Sequence, residues 1–325
     1  MHKMNQNRKT SSTIRFFFIS VIVLFMLPAC GEQEKTTPSV DSKTINSLTE
    51  RNQYPNPDIL ADPNWLTENL GRDDLVIVDI REDEEGQMFI PGSVSLSGIA
   101  PLLDGDHHVD SFIIESEAFS SLMGELGISN KSTVVVYDEG TNLYAARLFY
   151  ALDLYSHEHA MVLNGGFMGW TETGGPVSDG PAEPVPTSYF TEVNEAVFCD
   201  LETIQKAMQD ENTVIFDVRS PDQYRGEWVR AERGGHIPGA VNLIWNATIY
   251  DEDVGVPWFR SPEDIAQQYE EHGITPDKEV IPHCHTNLHG SHAYFVLRLM
   301  GYESVRAYEG SWAEYGNRDG VPVAQ

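Results

Sequence analysis

The same four landmarks occur twice in this chain, in one order, and that duplication limits what it can fold into more than any other feature. Leu75-Val-Ile-Val-Asp79-Ile-Arg81 recurs as Thr213-Val-Ile-Phe-Asp217-Val-Arg219, and Ile90-Pro-Gly-Ser-Val94 as Ile237-Pro-Gly-Ala-Val241. Ser132-Thr-Val-Val-Val-Tyr137-Asp138 matches Lys278-Glu-Val-Ile-Pro-His283-Cys284, and Asn164-Gly-Gly-Phe-Met-Gly-Trp170 matches Glu309-Gly-Ser-Trp-Ala-Glu-Tyr315. The offsets are 138, 147, 146 and 145 residues, so the second copy carries about nine extra residues between Arg219 and Ile237. Solenoid units repeat every ~20–50 residues because each leans on its neighbours. A period near 145 is instead a whole domain. The 325 residues therefore read as a first copy over 58–177, a linker over 178–188 and a second copy over 189–325. The linker begins Ser178-Asp-Gly-Pro-Ala-Glu-Pro-Val-Pro186, and so much proline stiffens a chain into an extended spacer.

Within each copy, short β-branched runs alternate with segments of helical spacing. Leu75 to Val78, Val134 to Val136, Val214 to Phe216 and Val280 to Ile281 are continuous apolar stretches, as expected of strands buried on both faces of a parallel sheet. Arg147-Leu-Phe-Tyr-Ala-Leu152 and Ala293-Tyr-Phe-Val-Leu-Arg-Leu299 follow strands and read as helices. The fold class is α/β, each copy a mostly parallel sheet flanked by helices. Ligands of such folds gather where strand carboxyl ends lead into helix amino ends.

Ahead of the copies, residues 1–30 have the order of a secretory signal. Lys3, Arg8, Lys9 and Arg15 precede an apolar run from Phe16 to Leu27, which is shorter than the ~20 residues of a spanning helix. Leu27-Pro28-Ala29-Cys30 resembles a bacterial lipobox, whose cysteine is lipidated after cleavage, and residues 31–57 then form a polar tether. The expectation is a lipoprotein of the bacterial cell envelope, held by its lipid alone, with Gly31 favouring the periplasmic face of the outer membrane. With 21 Lys and Arg against 50 Asp and Glu, the net charge of −29 argues against nucleic acid or an anionic lipid surface as partner. Three cysteines in so long a chain build no disulfide scaffold, so each is read by its position. Cys199, just ahead of a helix capped by Asp200, reads as packing.

Cys284 follows a buried strand and precedes a helix, in Pro282-His-Cys284-His-Thr-Asn-Leu-His289-Gly-Ser-His292. Unpaired amides and the positive end of a helix dipole favour a thiolate there, and such places bring a cysteine from about 8.5 to ~3.5–7.5. The run from His285 to Ser291 is polar, poor core material and good loop material.

The tandem copies, the Asp-Val-Arg strand end, Gly235-His-Ile-Pro-Gly-Ala-Val-Asn242, this cysteine loop and Gly310-Ser-Trp-Ala-Glu-Tyr-Gly-Asn-Arg318 together resemble a two-domain rhodanese, the family of thiosulfate and 3-mercaptopyruvate sulfurtransferases. The resemblance runs from about Asp58 to Val323. It implies two tandem rhodanese-like domains, the first inactive and the second catalytic. Asp138 stands where the second copy has Cys284, and a carboxylate cannot carry sulfane sulfur. The implied reaction is double displacement through a Cys284 persulfide, from a small anionic sulfur donor to cyanide or another thiophilic acceptor, with no cofactor or metal. The amides of His285, Thr286, Asn287, Leu288, His289 and Gly290 would cradle the sulfur. Arg225 matches a family arginine near the donor and is the first choice of anion clamp, ahead of Arg230 and Arg233 in the extra segment.

The loop departs from Cys-Arg-Lys-Gly-Val-Thr of rhodaneses and Cys-Gly-Ser-Gly-Val-Thr of mercaptopyruvate enzymes. Asn287 replaces the usual glycine, and asparagine tolerates a left-handed backbone. Neither donor signature is met. Cysteine phosphatases need an arginine six residues beyond the cysteine, and Gly290 is there. Two readings from other classes stand beside the transferase. His283, His285, His289 and His292 around Cys284 could bind zinc or copper, or the chain could be a non-catalytic sulfur carrier.

Overall fold

A computed structural model describes residues 51–325 apart from Ser111 and residues 251–254. The expected signal segment, Cys30 and most of the expected tether lie outside the described residues. In the first copy five parallel strands, β1 (Leu60–Ala61), β2 (Leu75–Asp79), β3 (Val94–Ser95), β4 (Thr133–Tyr137) and β5 (Ala160–Leu163), form one sheet in the order β1-β5-β4-β2-β3. Its helices are α1 (Pro63–Asn69), α2 (Ser116–Glu125), α3 (Leu143–Leu154) and α4 (Gly166–Glu172). Val134, Val135 and Val136 of β4 are all fully buried, as the unbroken apolar run requires of a central strand covered on both faces.

The second copy repeats the plan with β6 (Phe198–Cys199), β7 (Thr213–Asp217), β8 (Val241–Asn242), β9 (Glu279–His283) and β10 (Ala307–Tyr308), and with helices α5 (Leu201–Ala207), α6 (Pro221–Tyr224), α7 (Pro262–Glu271), α8 (Leu288–Leu299) and α9 (Ser311–Tyr315). Here the ladder is interrupted. Strands β8-β7-β9 pair in register, β10 pairs with β6, and among the described residues only a parallel bridge between Val280 and Val305 joins the two sets. Pro282 is the physical cause. The Val280 amide donates to Ser304 as Val134 donates to His159 in the first copy, but the next donor on that side belongs to Val136 in one copy and to Pro282, which has no N–H, in the other. The strand that delivers the cysteine is thus tied firmly to β7 on one side and loosely on the other.

The two copies share a core. Their longest helices, α3 and α8, pack against each other, with Phe149 edge-on to Phe295 at 4.9 Å and Tyr150 edge-on to Tyr294 at 5.3 Å between ring centroids. One continuous apolar cluster takes buried residues from both sheets, and all described residues fall in one compact unit. The proline-rich stretch runs across the first copy, with Ser178 bridging to Phe89 and the amides of Ala182 and Thr187 donating to Ser93 and Gly124.

Candidate active site

Two strand-to-helix loops face the α3–α8 interface, and comparing them exposes the chemistry. In the first copy the loop runs from Asp138 to Asn142, the left-handed residue that starts α3. The buried Asp138 carboxylate accepts from the amides of Gly140, Asn142 and Tyr144, each at 3.0 Å, and from Ala145 at 3.5 Å. Burial still holds its pKa above the ordinary carboxylate value, against the pull of those amides. The loop is therefore an anion nest, already filled by a side chain.

In the second copy the matching loop starts at Cys284 and reaches its left-handed turn at Asn287, one residue sooner. Cys284 is 1% exposed and belongs to the apolar cluster shared by the two copies. Burial disfavours the thiolate. A hydrogen bond from His289 and its charge, with the amides of Gly290 and Thr286, outweigh that burial and bring the thiol below its ordinary value. The amides of Thr286 and Gly290 thus favour the anionic sulfur, whereas around Asp138 four amides are hydrogen-bonded to the carboxylate. His289 itself is held flat against Trp245, ring centroids 5.0 Å apart and planes 4° from parallel. Within the loop His285, Thr286, Leu288 and His289 are half-buried.

The loop is anchored from below and from α9. The Cys284 amide donates to Ser311 at 3.3 Å, while Trp312 and Ala313 amides donate to the carbonyls of Cys284 and His285 at 3.0 and 2.8 Å. Beneath it Arg219 grips Asp217 through its main-chain amide and two guanidinium nitrogens at 2.6–3.1 Å, and its guanidinium lies 4.3 Å over the Trp312 ring. That pair is structural, and Arg81 with Asp79 repeats it in the first copy.

The other sequence candidates separate. Arg225 is exposed and held by Asp222 at 2.5 Å and Glu227 at 2.9 Å, so its fork already faces two carboxylates. Arg233 donates to the main-chain oxygens of Gly316, Val321, Tyr315 and Arg318, fastening the C-terminal segment. Arg230 is exposed and its charge bears on His285, holding that imidazole's pKa down, after burial, at about 4. The histidines do not converge either. His283 lies under the strand end, its Nε2 3.8 Å from Asp217, whereas His292 is buried on the α8 side beside Trp245 and Phe259. Among the described residues no three His, Cys, Asp or Glu side chains come together as a metal site. Cys199 and Cys284 are both free, and burial pushes the Cys199 thiol far up.

A cavity of about 670 Å³ opens over the Asp138 loop, lined by Arg81, Asp138, Glu139, Tyr144, Phe167 and the 82–88 segment. Glu82, Glu84 and Glu85 on its wall repel an anionic donor, so its size does not make it the donor site.

A rhodanese-like domain model matches residues 62–173 and 200–318. The chain belongs to the rhodanese family. It is 34% identical over 290 residues to a Thermus thermophilus protein named sulfur carrier protein TtuD, covering 84% of this chain and 98% of that one. It is 33% identical over 279 residues to a Mycobacterium leprae protein named "Putative thiosulfate sulfurtransferase", covering 82% and 97%. Solved structures share the fold: Tum1 of Saccharomyces cerevisiae matches with a TM-score of 0.69 at 21% identity over 80% of this chain and 95% of that one. The anaerobic ergothioneine biosynthesis enzyme of Chlorobium limicola matches with a TM-score of 0.71 at 23% identity, over 84% and 71%. Sulfur transfer is the activity this membership carries.

Arg147, Glu309, Ser311 and Trp245 were not among the sequence candidates, yet all touch the loop or its supports. One signal was readable: Arg147 sits inside the apolar run of a buried helix, where an unpaired charge is untenable.

Proposed function

We propose that this rhodanese moves sulfane sulfur through a persulfide on Cys284, taking it from thiosulfate or 3-mercaptopyruvate and passing it to cyanide or a thiol. The single observation that carries the reading is the paired loops: matching strand-to-helix turns hold a carboxylate on main-chain amides in the first copy and a buried thiol of lowered pKa in the second. In the first half-reaction the Cys284 thiolate attacks the outer sulfur of thiosulfate, the donor's S–S bond breaks, and sulfite leaves with the bonding pair. With 3-mercaptopyruvate a C–S bond breaks, and the leaving carbon takes a proton to give pyruvate. The acceptor then attacks the outer sulfur of the persulfide and restores the thiolate. The amides of Thr286 and Gly290 and His289 stabilise the anionic sulfur in both states without being consumed.

For the donor's anionic end Arg230 is better placed than Arg225, because its charge reaches the loop while Arg225 is matched by Asp222 and Glu227. The departure of the loop from both donor signatures leaves thiosulfate and 3-mercaptopyruvate as competing substrates. The name of the Thermus relative, a sulfur carrier protein, fits the same persulfide discharged to a thiol partner. We further propose that the protein works from a lipid anchor at Cys30 on the periplasmic face of the outer membrane, supported by the charge, apolar run and small-residue order of residues 1–30. No helix among the described residues is long and apolar enough to cross a membrane.

Steady-state assay of sulfite and pyruvate release with cyanide or dithiothreitol as acceptor tests the reaction. Turnover with one donor that disappears in Cys284→Ser supports it, and equal turnover in that variant overturns it.

A further inference from the structure

The catalytic loop is held by a residue of the silent copy. Arg147, on α3, is 1% exposed and donates to Glu309 at 2.6 Å, to the Ser291 hydroxyl at 3.0 Å and to the Asn287 carbonyl at 3.5 Å. Glu309, just past β10 and 2% exposed, also accepts from the Ile113 amide at 3.1 Å and from the Asn287 side-chain amide at 2.8 Å. Asn287 is the left-handed residue that turns the loop into α8, at φ 56°. Its Oδ1 fits so closely over Gly290 that a Cβ there would come within 2.2 Å of it. The Gly290 amide, in the first turn of α8, is in turn one of the groups that favour the Cys284 thiolate. The Ser291 hydroxyl closes the circuit by donating to the Asn287 carbonyl at 2.7 Å.

The duplication supplies an internal control. Helices α3 and α8 start on equivalent residues, Asn142 and Asn287, which makes Arg147 the counterpart of His292 and Asn164 the counterpart of Glu309. His292 also reaches toward the Thr141 main chain of the other copy, but neither of its ring nitrogens makes a hydrogen bond. Asn164, in place of the carboxylate, accepts from the Phe259 amide at 3.1 Å. The crossing side chain is thus repeated in both directions, but it is an ion pair only where the loop holds a thiol. A buried Arg–Glu pair is a poor source of net stability compared with apolar packing and is well suited to fixing one geometry.

We propose that Arg147 is a positioning residue for the catalytic loop: through Glu309 and Asn287 it fixes the turn that keeps the loop amides pointed at the Cys284 sulfur. The inactive copy is, on this view, part of the catalytic apparatus of the active one. The proposal rests on the reading of Cys284 as the reacting thiol.

The test measures the pH dependence of Cys284 alkylation by iodoacetamide in the full chain, with circular dichroism and thermal melting as checks of folding. Arg147→Met with Glu309→Gln removes both charges together, so that no buried charge is orphaned. Arg147→Lys keeps the charge but cannot bridge Glu309, Asn287 and Ser291 at once. His289, His283 and His285, the titratable groups nearest the thiol in the chain, stay in place in every variant. The double variant should fold, alkylate about tenfold more slowly at neutral pH, and need a pH about one higher for half-maximal rate. Arg147→Lys should fall between it and the wild type, and it decides alone if the double variant does not fold. Tyr294→Phe, which removes a contact to Asp153 between the same two helices, should lower the melting temperature and leave the profile unmoved. Wild-type profiles in both Arg147 variants, or an equal shift in Tyr294→Phe, would overturn the proposal. Alkylation needs no sulfur donor, so a wild type that takes up no sulfur from thiosulfate or 3-mercaptopyruvate would strike the transferase reading while leaving this measurement standing.

Discussion

His289→Ala isolates the group that most lowers the pKa of the buried Cys284 thiol, the nucleophile of the proposed reaction. In the folded chain burial pushes the Cys284 thiol up, and the imidazole of His289, by hydrogen bond and charge, is the largest of the effects that bring it down. A hydrogen bond to a charged group contributes about 1.5–3 kcal/mol, which at 25 °C is roughly a tenfold to hundredfold change in thiolate population wherever the thiol form dominates. The remaining amides of Gly290 and Thr286 then face burial without help, and the thiol returns to or above its ordinary value. Iodoacetamide alkylation followed from pH 5 to 10, alongside sulfur uptake from thiosulfate, reads this directly. The alanine variant should react roughly tenfold to hundredfold more slowly at neutral pH and recover the wild-type rate at high pH. His289→Gln keeps a donor without the charge and should lie between. His289 also stacks on Trp245, so a melting curve accompanies each variant. A variant that melts like the wild type and alkylates with an unchanged pH profile would refute the assignment of the thiolate to His289.

Other consequences follow from the same geometry. Asp138→Cys in a Cys284→Ser background places a thiol in the silent nest, but Tyr144 stands where the active copy has His289, so that thiol should alkylate at least about tenfold more slowly at pH 7 than native Cys284. Burial depresses His292 to about 3 and His285 to about 4, both below the unfolded value near 6.5, so the unfolded chain binds more protons between these limits. Their contribution to stability is complete above about pH 6.5 and is lost as the pH falls toward about 3; His292→Leu should flatten the acid limb of a plot of melting temperature against pH. Phe295→Ala removes a ring packed on Phe149 and Phe259 and should cost about 3–5 kcal/mol, and because both copies share that core, denaturant unfolding should remain one transition for both.

How much of this was legible in the chain depends on how local each cause is. The duplication, the strands and the cysteine loop were readable because they rest on short apolar runs and on Gly and Pro at fixed places, which physics confines to few conformations. The strand break at β9 was also local in origin, since Pro282 lacks a donor wherever it stands, but its effect appears only once β10 is known to lie on that side. Arg225 resembles an anion clamp only by its likeness to a family position. The two carboxylates that occupy it, Asp222 and Glu227, are only three and two residues away, so their competition was visible in the sequence. Arg233 differs: its acceptors between Tyr315 and Val321 are more than 80 positions distant, and no local pattern announces them. The Arg147–Glu309 pair spans 162 positions and depends on α3 meeting α8, which composition and periodicity do not specify.

The most direct measurement is the intact mass and peptide mass of the purified protein after incubation with thiosulfate and, separately, with 3-mercaptopyruvate, without acceptor. A persulfide adds one sulfur, about 32 Da, and that mass should appear on the peptide containing Cys284 with at least one donor, vanish on adding cyanide, and be missing in Cys284→Ser. Cys284 that stays unmodified by both donors while the protein is folded would contradict the account.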